Sequence, residues 1–438
     1  MSEEKYSSFQ KTYMLLPQSP LIHFQWDQPG AALRATEVKP KLDRYIIKRY
    51  RKENGTEIPK QWLIEQPSKD KTAEKKPALK YRMRITAQNQ NAPIILGTIK
   101  VPITRRDGSV GYKRQATPYD IYYGNTGDEN DKKGIMREHR LEIQCFVSGL
   151  FETIKNYIRE FFIVTNFGTM QSKGFGSFVI DDTDTKPRSI CKVLMKEYGA
   201  DTCYWFEASK GAVFKQIKTV YSLMKSGINL SVTDKSDKTK RNQIAYCRSL
   251  LFDYFHSENK NAKGDDYFIG NEKAWMKRKG IAPITGKHKY HPNESNAPER
   301  YVRALLGIGE TLQFIPENFS TRDKDKIVVK YGHTEKDKEK KIDRLPSPIL
   351  FKVINNKVYF LATKINPIIF DKEFRFSSSR NKDTIRTPKK NEVRDNFLED
   401  FLDYVYYVLQ DCNEKEQFRE IRETNFKKES SEVKKHGK

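Results

Sequence analysis

The stretch with the clearest chemical capacity runs from Phe167 to Phe178 and reads Phe-Gly-Thr-Met-Gln-Ser-Lys-Gly-Phe-Gly-Ser-Phe. Its three glycines, Gly168, Gly174 and Gly176, lack a Cβ atom, so the backbone can adopt positive φ and bring N–H groups close to a phosphate or to another chain. Lys173 adds a positive charge. The same residues are also typical of a glycine-rich hairpin connection, so the loop by itself leaves a ligand cradle and a turn as alternatives.

The charge of the whole chain favours the cradle. The 438 residues include 81 Lys and Arg against 57 Asp and Glu, which gives a formal net charge of +24 and a pI near 9.5. A surplus of this size favours a polyanion, above all the phosphate backbone of a nucleic acid. An anionic membrane is the competing partner, but the sequence has no uninterrupted apolar run of about 18 residues and no basic-then-apolar amino terminus. We therefore expect a soluble, cytoplasmic protein that binds nucleic acid and no membrane.

The residue types that bind metals are scattered along the chain. The five cysteines are odd in number and lack the paired spacing of a zinc site, which indicates free thiols. His288 and His291 form the one close histidine pair, but they stand among lysines with no carboxylate cluster nearby. The acidic run Asp181, Asp182 and Asp184 is more typical of an exposed turn than of a metal site. The sequence predicts no metal and no cofactor.

The elements that must position the glycine loop can be read from hydrophobic periodicity. A β-prone run near residues 13–24 precedes a helix predicted to begin at Pro40, in which Leu42, Tyr45, Ile46 and Tyr50 share one face. Its other faces are crowded by basic residues, namely Lys39, Lys41, Arg44, Lys48 and Arg49. Two strand-like alternations, an amphipathic helix and a short strand after the loop complete the series. The order strand, helix, strand, strand, helix, strand is that of a split βαβ, ferredoxin-like unit, in which the loop enters the last strand.

Length and composition predict an α+β protein of two lobes with long basic insertions. A chain of 438 residues can form two hydrophobic cores. We expect a ferredoxin-like (RRM-like) domain over residues 1–190, with insertions near 51–79 and 104–136. A second α+β lobe is expected over 191–410, in which Asn355, Asn356 and Lys357 between two apolar runs predict a β-hairpin. A charged, disordered tail is expected over 411–438.

Three stretches resemble segments of the RAMP superfamily of CRISPR-associated proteins. Phe167-Gly168 followed by Gln171-Ser172-Lys173-Gly174-Phe175-Gly176-Ser177 is similar to the glycine-rich signature of type III effector-complex subunits. Pro29-Gly30-Ala31-Ala32-Leu33-Arg34, followed by Lys39 and Lys41, is similar to the early segment by which backbone-type subunits approach guide RNA. Arg344-Leu345-Pro346-Ser347-Pro348-Ile349 is similar to the segment preceding a strand in the C-terminal half of two-lobed subunits.

The resemblance implies a ferredoxin-like RAMP fold and an RNA-guided complex. In such a complex this subunit would hold the CRISPR guide RNA, its complementary target RNA, or both, beside other CRISPR-associated subunits. Basic side chains would contact the sugar-phosphate backbone and glycines would admit RNA closely, while Phe175 would either stack on a base or fill the sheet. The candidate RNA-binding residues are Arg34, Lys39, Lys41, Arg44, Gln171, Ser172, Lys173, Gly174, Phe175, Gly176 and Arg344.

Cleavage of target or precursor RNA is the main alternative, because some relatives in this superfamily are ribonucleases. Backbone subunits of type III complexes use a loop aspartate near the first strand, and Asp27 is the candidate nearest in position. Guide-processing relatives use general acid–base chemistry, for which His23 and His139 are the possible bases. No sequence context marks any of the three as catalytic, so we favour a non-catalytic RNA-binding subunit. A general nucleic-acid-binding protein without a CRISPR context is the third alternative.

Overall fold

A computed structural model shows a mixed α+β protein, with seven α-helices and several small antiparallel sheets among the residues that it describes. The described residues are 9–23, 32–64, 77–88, 94–95, 98–104, 107–119, 133–209, 211–232, 243–282, 297–309, 311–314, 325–331, 345–411 and 424–431.

The chain divides into two compact units, each of which collects segments that are distant in sequence. The predicted second lobe contributes one short segment to the first unit. Unit 1 comprises Met1–Thr117, Asn130–Glu197 and Phe351–Tyr359, and unit 2 comprises Pro118–Glu129, Tyr198–Leu350 and Phe360–Lys438.

The first part of the chain supplies eight strands and three helices, with a short 3₁₀ turn at Lys60–Trp62. The strands are β1 (Gln10–Pro17), β2 (Arg82–Ala87), β3 (Ile94–Ile95), β4 (Thr98–Thr104), β5 (Val110–Ala116), β6 (Lys133–Gly134), β7 (His139–Gln144) and β8 (Phe178–Ile180). The helices are α1 (Ala35–Asn54), α2 (Leu150–Val164) and α3 (Pro187–Tyr198).

The centre of unit 1 is a four-stranded sheet in the order β2-β7-β1-β8, in which every neighbouring pair is antiparallel. Helix α1 connects β1 to β2, and α2 connects β7 to β8 through the glycine loop. Apolar side chains from the sheet and both helices are fully buried and form the core of the unit. They include Leu15, Leu141, Ile143, Leu42, Ile46, Ile154 and Ile158.

Helix α1 is bounded by residues that suit its ends. Arg34 precedes it in an extended conformation, and Gly55, with φ of +67°, ends it and donates its N–H to the Arg51 carbonyl. Glu37 lies in the first turn, and basic residues in the last turn complement the helix dipole. The helix begins five residues before Pro40, so this proline lies inside the helix and is not its first residue as the sequence suggested.

Parts of both predicted insertions are ordered elements of unit 1. Within 51–79, Trp62 and Leu79 are buried, and Leu63 pairs with Leu79. Isolated apolar residues are thus enough to anchor this polar segment to the core. Within 104–136, β5 pairs with β4 as an antiparallel hairpin.

The rest of the chain contributes twelve strands and four helices among its described residues. The strands are β9 (Thr202–Glu207), β10 (Ile228–Val232), β11 (Gln243–Cys247), β12 (Gly270–Asn271), β13 (Glu299–Arg300), β14 (Thr311–Phe314), β15 (Asp325–Tyr331), β16 (Ile349–Ile354), β17 (Lys357–Ala362), β18 (Glu373–Ser377), β19 (Lys382–Arg386) and β20 (Lys427–Ser430). The helices are α4 (Val213–Lys225), α5 (Leu250–Ser257), α6 (Glu272–Arg278) and α7 (Phe397–Asp411).

Two sequence predictions concern this part of the chain directly. The predicted hairpin is present as β16 and β17, joined by Asn355 and Asn356 with φ of 48° and 60°, as a primed turn requires. The predicted disordered tail, by contrast, contains β20, which pairs antiparallel with β9. The correction has a simple cause: Phe426 is buried beside the strand and contacts Phe206, so one apolar residue anchors a charged segment.

Candidate nucleic-acid interface

The glycine loop leaves α2 and enters β8 through four residues with positive φ. These are Gly168 (72°), Met170 (57°), Gly174 (83°) and Gly176 (67°). Glycine adopts this region without the steric cost that other residues meet, whereas Met170 is held there by the surrounding turns. The sequence prediction of positive φ at the three glycines is confirmed.

Close approach of the loop to its own chain explains two of these glycines. A Cβ atom at Gly176 would lie 2.7 Å from the carbonyl carbon of Phe167 and 2.9 Å from its nitrogen. At Gly168 it would lie 2.8 Å from a methyl carbon of Leu21. Ordinary carbon contacts are about 3.5–4.0 Å. The missing side chains are therefore required by packing within unit 1.

The amide groups that a phosphate cradle would use are engaged inside the protein. The N–H of Gly168 donates to the Glu37 carboxylate at 2.8 Å. Thr169 and Gly176 donate to backbone carbonyls in residues 20–22, at 3.0 and 2.9 Å. These three amides cannot bind a phosphate in this conformation, so the loop is fastened to α1 and to the segment after β1.

The middle of the loop is also held by contacts within unit 1. The Phe175 side chain is fully buried, so its ring fills the core and does not present a face to a base. The Ser172 carbonyl accepts a hydrogen bond from the Phe351 N–H at 3.0 Å, and Lys173 is paired with Phe351 in a parallel bridge. Gln171 donates its side-chain amide to the carbonyl of Gly168 at 2.7 Å.

His23 and Arg34 lie together at the start of α1. The Arg34 guanidinium is 3.0 Å from Nδ1 of His23. Because a guanidinium only donates, Nδ1 must carry the lone pair and Nε2 the hydrogen. Burial and the neighbouring Arg34 charge lower the pKa of His23. The His23 ring is therefore neutral near pH 7, and its Nδ1 atom already accepts a hydrogen bond from Arg34.

Lys39 and Lys41 point inward and bind protein groups. Lys39 forms an ion pair with Asp43 at 2.8 Å and lies over the Tyr81 ring, 4.2 Å from its centre. Lys41 pairs with Glu37 at 3.1 Å and donates to the backbone carbonyl of residue 166 at 3.2 Å. Both ammonium groups thus connect α1 to neighbouring segments of unit 1. The sequence predicted both lysines on the basic faces of the helix, because periodicity alone does not distinguish an inward lysine from an outward one.

Arg44 belongs to the outward basic group of α1. A groove of about 540 Å³ is lined by Arg44, Lys48, Arg51 and Lys52, together with Ile47 and Pro77. The four cations follow the spacing i, i+4, i+7 and i+8, so they share one stripe about 12 Å long. We call this set the α1 basic stripe.

The cations of the α1 basic stripe are only weakly committed to protein partners. Lys48 pairs with Glu197 at 2.6 Å, and Arg51 pairs with Glu57 at 2.9 Å. The side chains of Lys48, Arg51 and Glu57 are well exposed. Exposed pairs of this kind contribute about 0–1 kcal/mol and exchange readily with other anions. Among the described residues, Arg44 and Lys52 form no ion pair or side-chain hydrogen bond. The stripe is therefore open to an external polyanion.

Two predicted site residues cannot be placed. Asp27, the candidate catalytic aspartate, and Arg344, the candidate C-terminal contact, lie outside the described residues. Their roles stay predictions.

Two family models match consecutive parts of the chain. The one described as the Cmr1 N-terminal domain matches residues 9–228, and the one described as the Cmr1 C-terminal domain matches residues 246–429. The chain belongs to the Cmr1 family. No curated protein sequence matches it closely enough to add a relative.

Membership of the Cmr1 family confirms the resemblance drawn from the glycine loop. Cmr1 is a RAMP-family subunit of the type III-B CRISPR effector complex, so the chain belongs to a multi-subunit assembly with other CRISPR-associated proteins. This membership excludes the third alternative, a nucleic-acid-binding protein without a CRISPR context.

The structure of this Cmr1-family chain adds a buried lysine that periodicity did not reveal. Lys352 is fully buried, and its ammonium donates to the carbonyls of Phe162 and Thr165, both at 2.8 Å, and to the side-chain oxygen of Asn166 at 3.1 Å. It therefore caps the end of α2 where the glycine loop begins. Burial lowers its pKa. The only signal in sequence was a charge inside an otherwise apolar strand.

His139 and Arg49 are structural as well. The Nε2 atom of His139 accepts the Leu33 N–H at 3.1 Å, and burial lowers the pKa of this ring to about 4. Arg49 is 1% exposed and forms ion pairs with Glu160 and Glu53. It was expected on the outer face of α1, but its position one residue after Lys48 turns it toward α2.

Within the described ranges, no three His, Cys, Asp or Glu side chains approach one another closely enough to bind a metal ion. In the same part of the chain, no helix combines the length and the apolar character needed to cross a membrane.

Proposed function

We propose that this chain is a non-catalytic RNA-binding subunit of the type III-B complex, which holds the guide RNA or the guide–target duplex. The observation that carries the proposal is the α1 basic stripe: four outward cations line one groove, and two of them, Arg44 and Lys52, have no ion-pair partner among the described residues. The net charge of +24 supports the same conclusion.

The proposal includes a ferredoxin-like RAMP fold for unit 1. The sheet order β2-β7-β1-β8, with all neighbours antiparallel and helices on both crossovers, supports this fold. In this arrangement the glycine loop has a different role from the one first expected. It fastens α1 and β8 to each other, and the RNA contact lies on the C-terminal half of α1.

The non-catalytic part of the proposal is supported by the state of the two histidines. Nδ1 of His23 is occupied by Arg34, and His139 is buried with its Nε2 bound to a backbone amide. A general base needs a free nitrogen within reach of the substrate proton. Asp27, the third candidate for the cleaving alternative, lies outside the described residues.

The test is the salt dependence of RNA binding by the full chain. The double variant Arg44→Gln with Lys52→Gln removes two cations and keeps good helix formers on an exposed surface. For a single-stranded RNA, each neutralised phosphate contributes about 0.7 to the slope of log K against log salt. For the double variant we therefore expect a slope lower by about 1.4 and an RNA affinity about 25-fold weaker at 0.1 M salt.

A matched control removes the same charge elsewhere in unit 1. Lys155→Gln with Lys186→Gln lowers the net charge equally, on α2 and at the exposed residue that precedes α3. This control should keep most of the affinity and slope. If both doubles weaken RNA binding equally, the effect is one of net charge, and the α1 basic stripe is not the contact surface. An RNA affinity that ignores salt would overturn the phosphate-binding proposal itself.

A further inference from the structure

A second basic surface lies in unit 2, on the four-stranded antiparallel sheet β14-β15-β18-β19. Alternate residues of a strand point to opposite faces, and one face of this sheet is apolar and packed. The buried residues of that face are Ile327, Val329, Phe374, Phe376 and Ile385. The residues between them must occupy the other face, which we call the open face.

The open face brings cations together through the register of the strands. Lys330 on β15 is directly opposite Arg375 on β18, and Arg375 is in turn opposite Thr384 on β19. In the next row, Ser377 lies between Val328 and Lys382. Neighbouring strands are about 4.8 Å apart, and rows about 6.7 Å apart. Three positive side chains, those of Lys330, Arg375 and Lys382, therefore share a small area.

Like charges directly opposite each other destabilise a sheet, so this pairing requires an explanation. Within the described part of the chain, neither Lys330 nor Arg375 forms an ion pair or a side-chain hydrogen bond. The acid on this face is Glu373, and it lies opposite Arg386 at the far end of β18 and β19. Among the described residues of the same row, no carboxylate therefore offsets the repulsion between Lys330 and Arg375.

The open face also has a depression suited to a small anion. A groove of about 240 Å³ is lined by Val328, Lys330, Arg375 and Ser377. A guanidinium, an ammonium and a hydroxyl that converge on one groove are the donors that bind phosphate oxygens. Lys382 and Thr384 extend the donors along the next strand.

We infer that the open face of this sheet is a second RNA-contact surface, which binds the phosphate backbone through Lys330, Arg375 and Lys382. The inference rests on the proposed RNA-binding function and adds to it a site in unit 2. The described side chains of this face are cations, hydroxyls, one acid and Val328, with no aromatic ring. Binding should therefore depend on phosphates and not on base identity.

A nucleic-acid backbone fits this surface better than an acidic protein does. The cations lie in successive rows of an extended sheet, a regular spacing that matches a repeating charge more naturally than scattered carboxylates. Hydroxyls beside Arg375 and an apolar centre at Val328 also suit the phosphate and ribose of RNA. An acidic protein partner is the competing outcome, and the experiment distinguishes the two.

The experiment measures binding of the full chain to a labelled oligouridylate at several salt concentrations. The variant Lys330→Gln with Arg375→Gln should lower the salt slope by about 1.4 and the affinity at 0.1 M salt about 25-fold. Because it removes a repulsion, it should unfold at a temperature equal to or above that of the wild type. The control Lys260→Gln with Lys390→Gln removes the same charge from exposed ion pairs of unit 2 and should change the RNA affinity little.

The outcomes separate this inference from the function on which it rests. If the sheet variant keeps the wild-type RNA affinity and slope while the Arg44 and Lys52 double shows a decrease in both, the inference is overturned and the proposed function stands. If the wild type shows no salt-dependent RNA binding, the proposed function fails first. A sheet variant that no longer binds polyglutamate but keeps RNA binding overturns the inference in favour of an acidic protein partner.

Discussion

The glycine loop gives the sharpest test of the structural reasoning, because two explanations of its glycines predict opposite results. If Gly176 serves packing, a methyl group there must damage the fold. If it serves close approach of RNA, the fold should survive and binding should fail. Gly55 is a matched control: both glycines have φ of +67°, but a Cβ at Gly55 meets nothing within 4 Å, whereas at Gly176 it overlaps the Phe167 backbone.

The expected magnitudes follow from these distances. The left-handed conformation costs alanine about 1–2 kcal/mol at either site. At Gly176, the separation of 2.7 Å from the carbonyl carbon of Phe167 requires that residue to move by about 1 Å. Phe167 is fully buried, and its N–H donates to the Gly176 carbonyl at 3.0 Å. Overpacking adds about 1–3 kcal/mol, and a weakened hydrogen bond adds about 1 kcal/mol.

We therefore expect Gly55→Ala to cost about 1–2 kcal/mol and Gly176→Ala about 3–6 kcal/mol in free energy of unfolding. Urea titration would measure the difference, with hydrogen exchange in peptides from β8 and α2 assigning the destabilisation to unit 1. RNA affinity would be measured on the folded fraction of each variant. Equal urea midpoints for the two variants, combined with abolished RNA binding by Gly176→Ala alone, would refute the packing explanation and restore the ligand cradle.

Two further predictions concern buried titratable groups. The folded pKa of His139, about 4, lies below its ordinary value of 6.5, so stability should be full above pH 6.5 and fall by up to about 3 kcal/mol as the pH drops from 6.5 to 4. His139→Gln, which keeps an acceptor but does not titrate, should flatten this profile in denaturant titrations, and an unchanged profile would contradict the assignment. Lys352→Met should cost about 2–4 kcal/mol because three buried acceptors are left without their donor. Lys357→Met in the same hairpin should cost less than about 0.5 kcal/mol, and equal thermal shifts for the two would show that the cap is unimportant.

The sequence predicted well where a local pattern determines the result. The periodicity of Leu42, Tyr45 and Ile46 placed the buried face of α1, and all three are buried. The asparagines between two apolar runs predicted the hairpin of β16 and β17 correctly, because a primed turn needs positive φ that asparagine tolerates. The glycine loop identified the superfamily, and in this chain Gly168 and Gly176 are required by positive φ and by close backbone contacts.

Tertiary structure alone shows which basic residues of α1 bind protein groups and which face a groove. Lys39, Lys41 and Arg44 occupy the same kind of position in sequence, but Asp43 and Glu37 bind the first two, whereas Arg44 faces a groove. A rotation of 100° per residue separates an inward from an outward side chain, and which face is inward depends on neighbours that are distant in sequence.

Composition, periodicity and a glycine signature are properties of short segments, so they already indicated that the chain is basic, α+β and related to RAMP proteins. Which charges remain available to a partner depends on the folded chain. Folding brought Lys352 beneath the end of α2, 190 residues from its acceptor Phe162, and it set Lys330 opposite Arg375 across two strands. Charges are paired through space, so pairing between segments that are distant in sequence is visible only when the chain is folded.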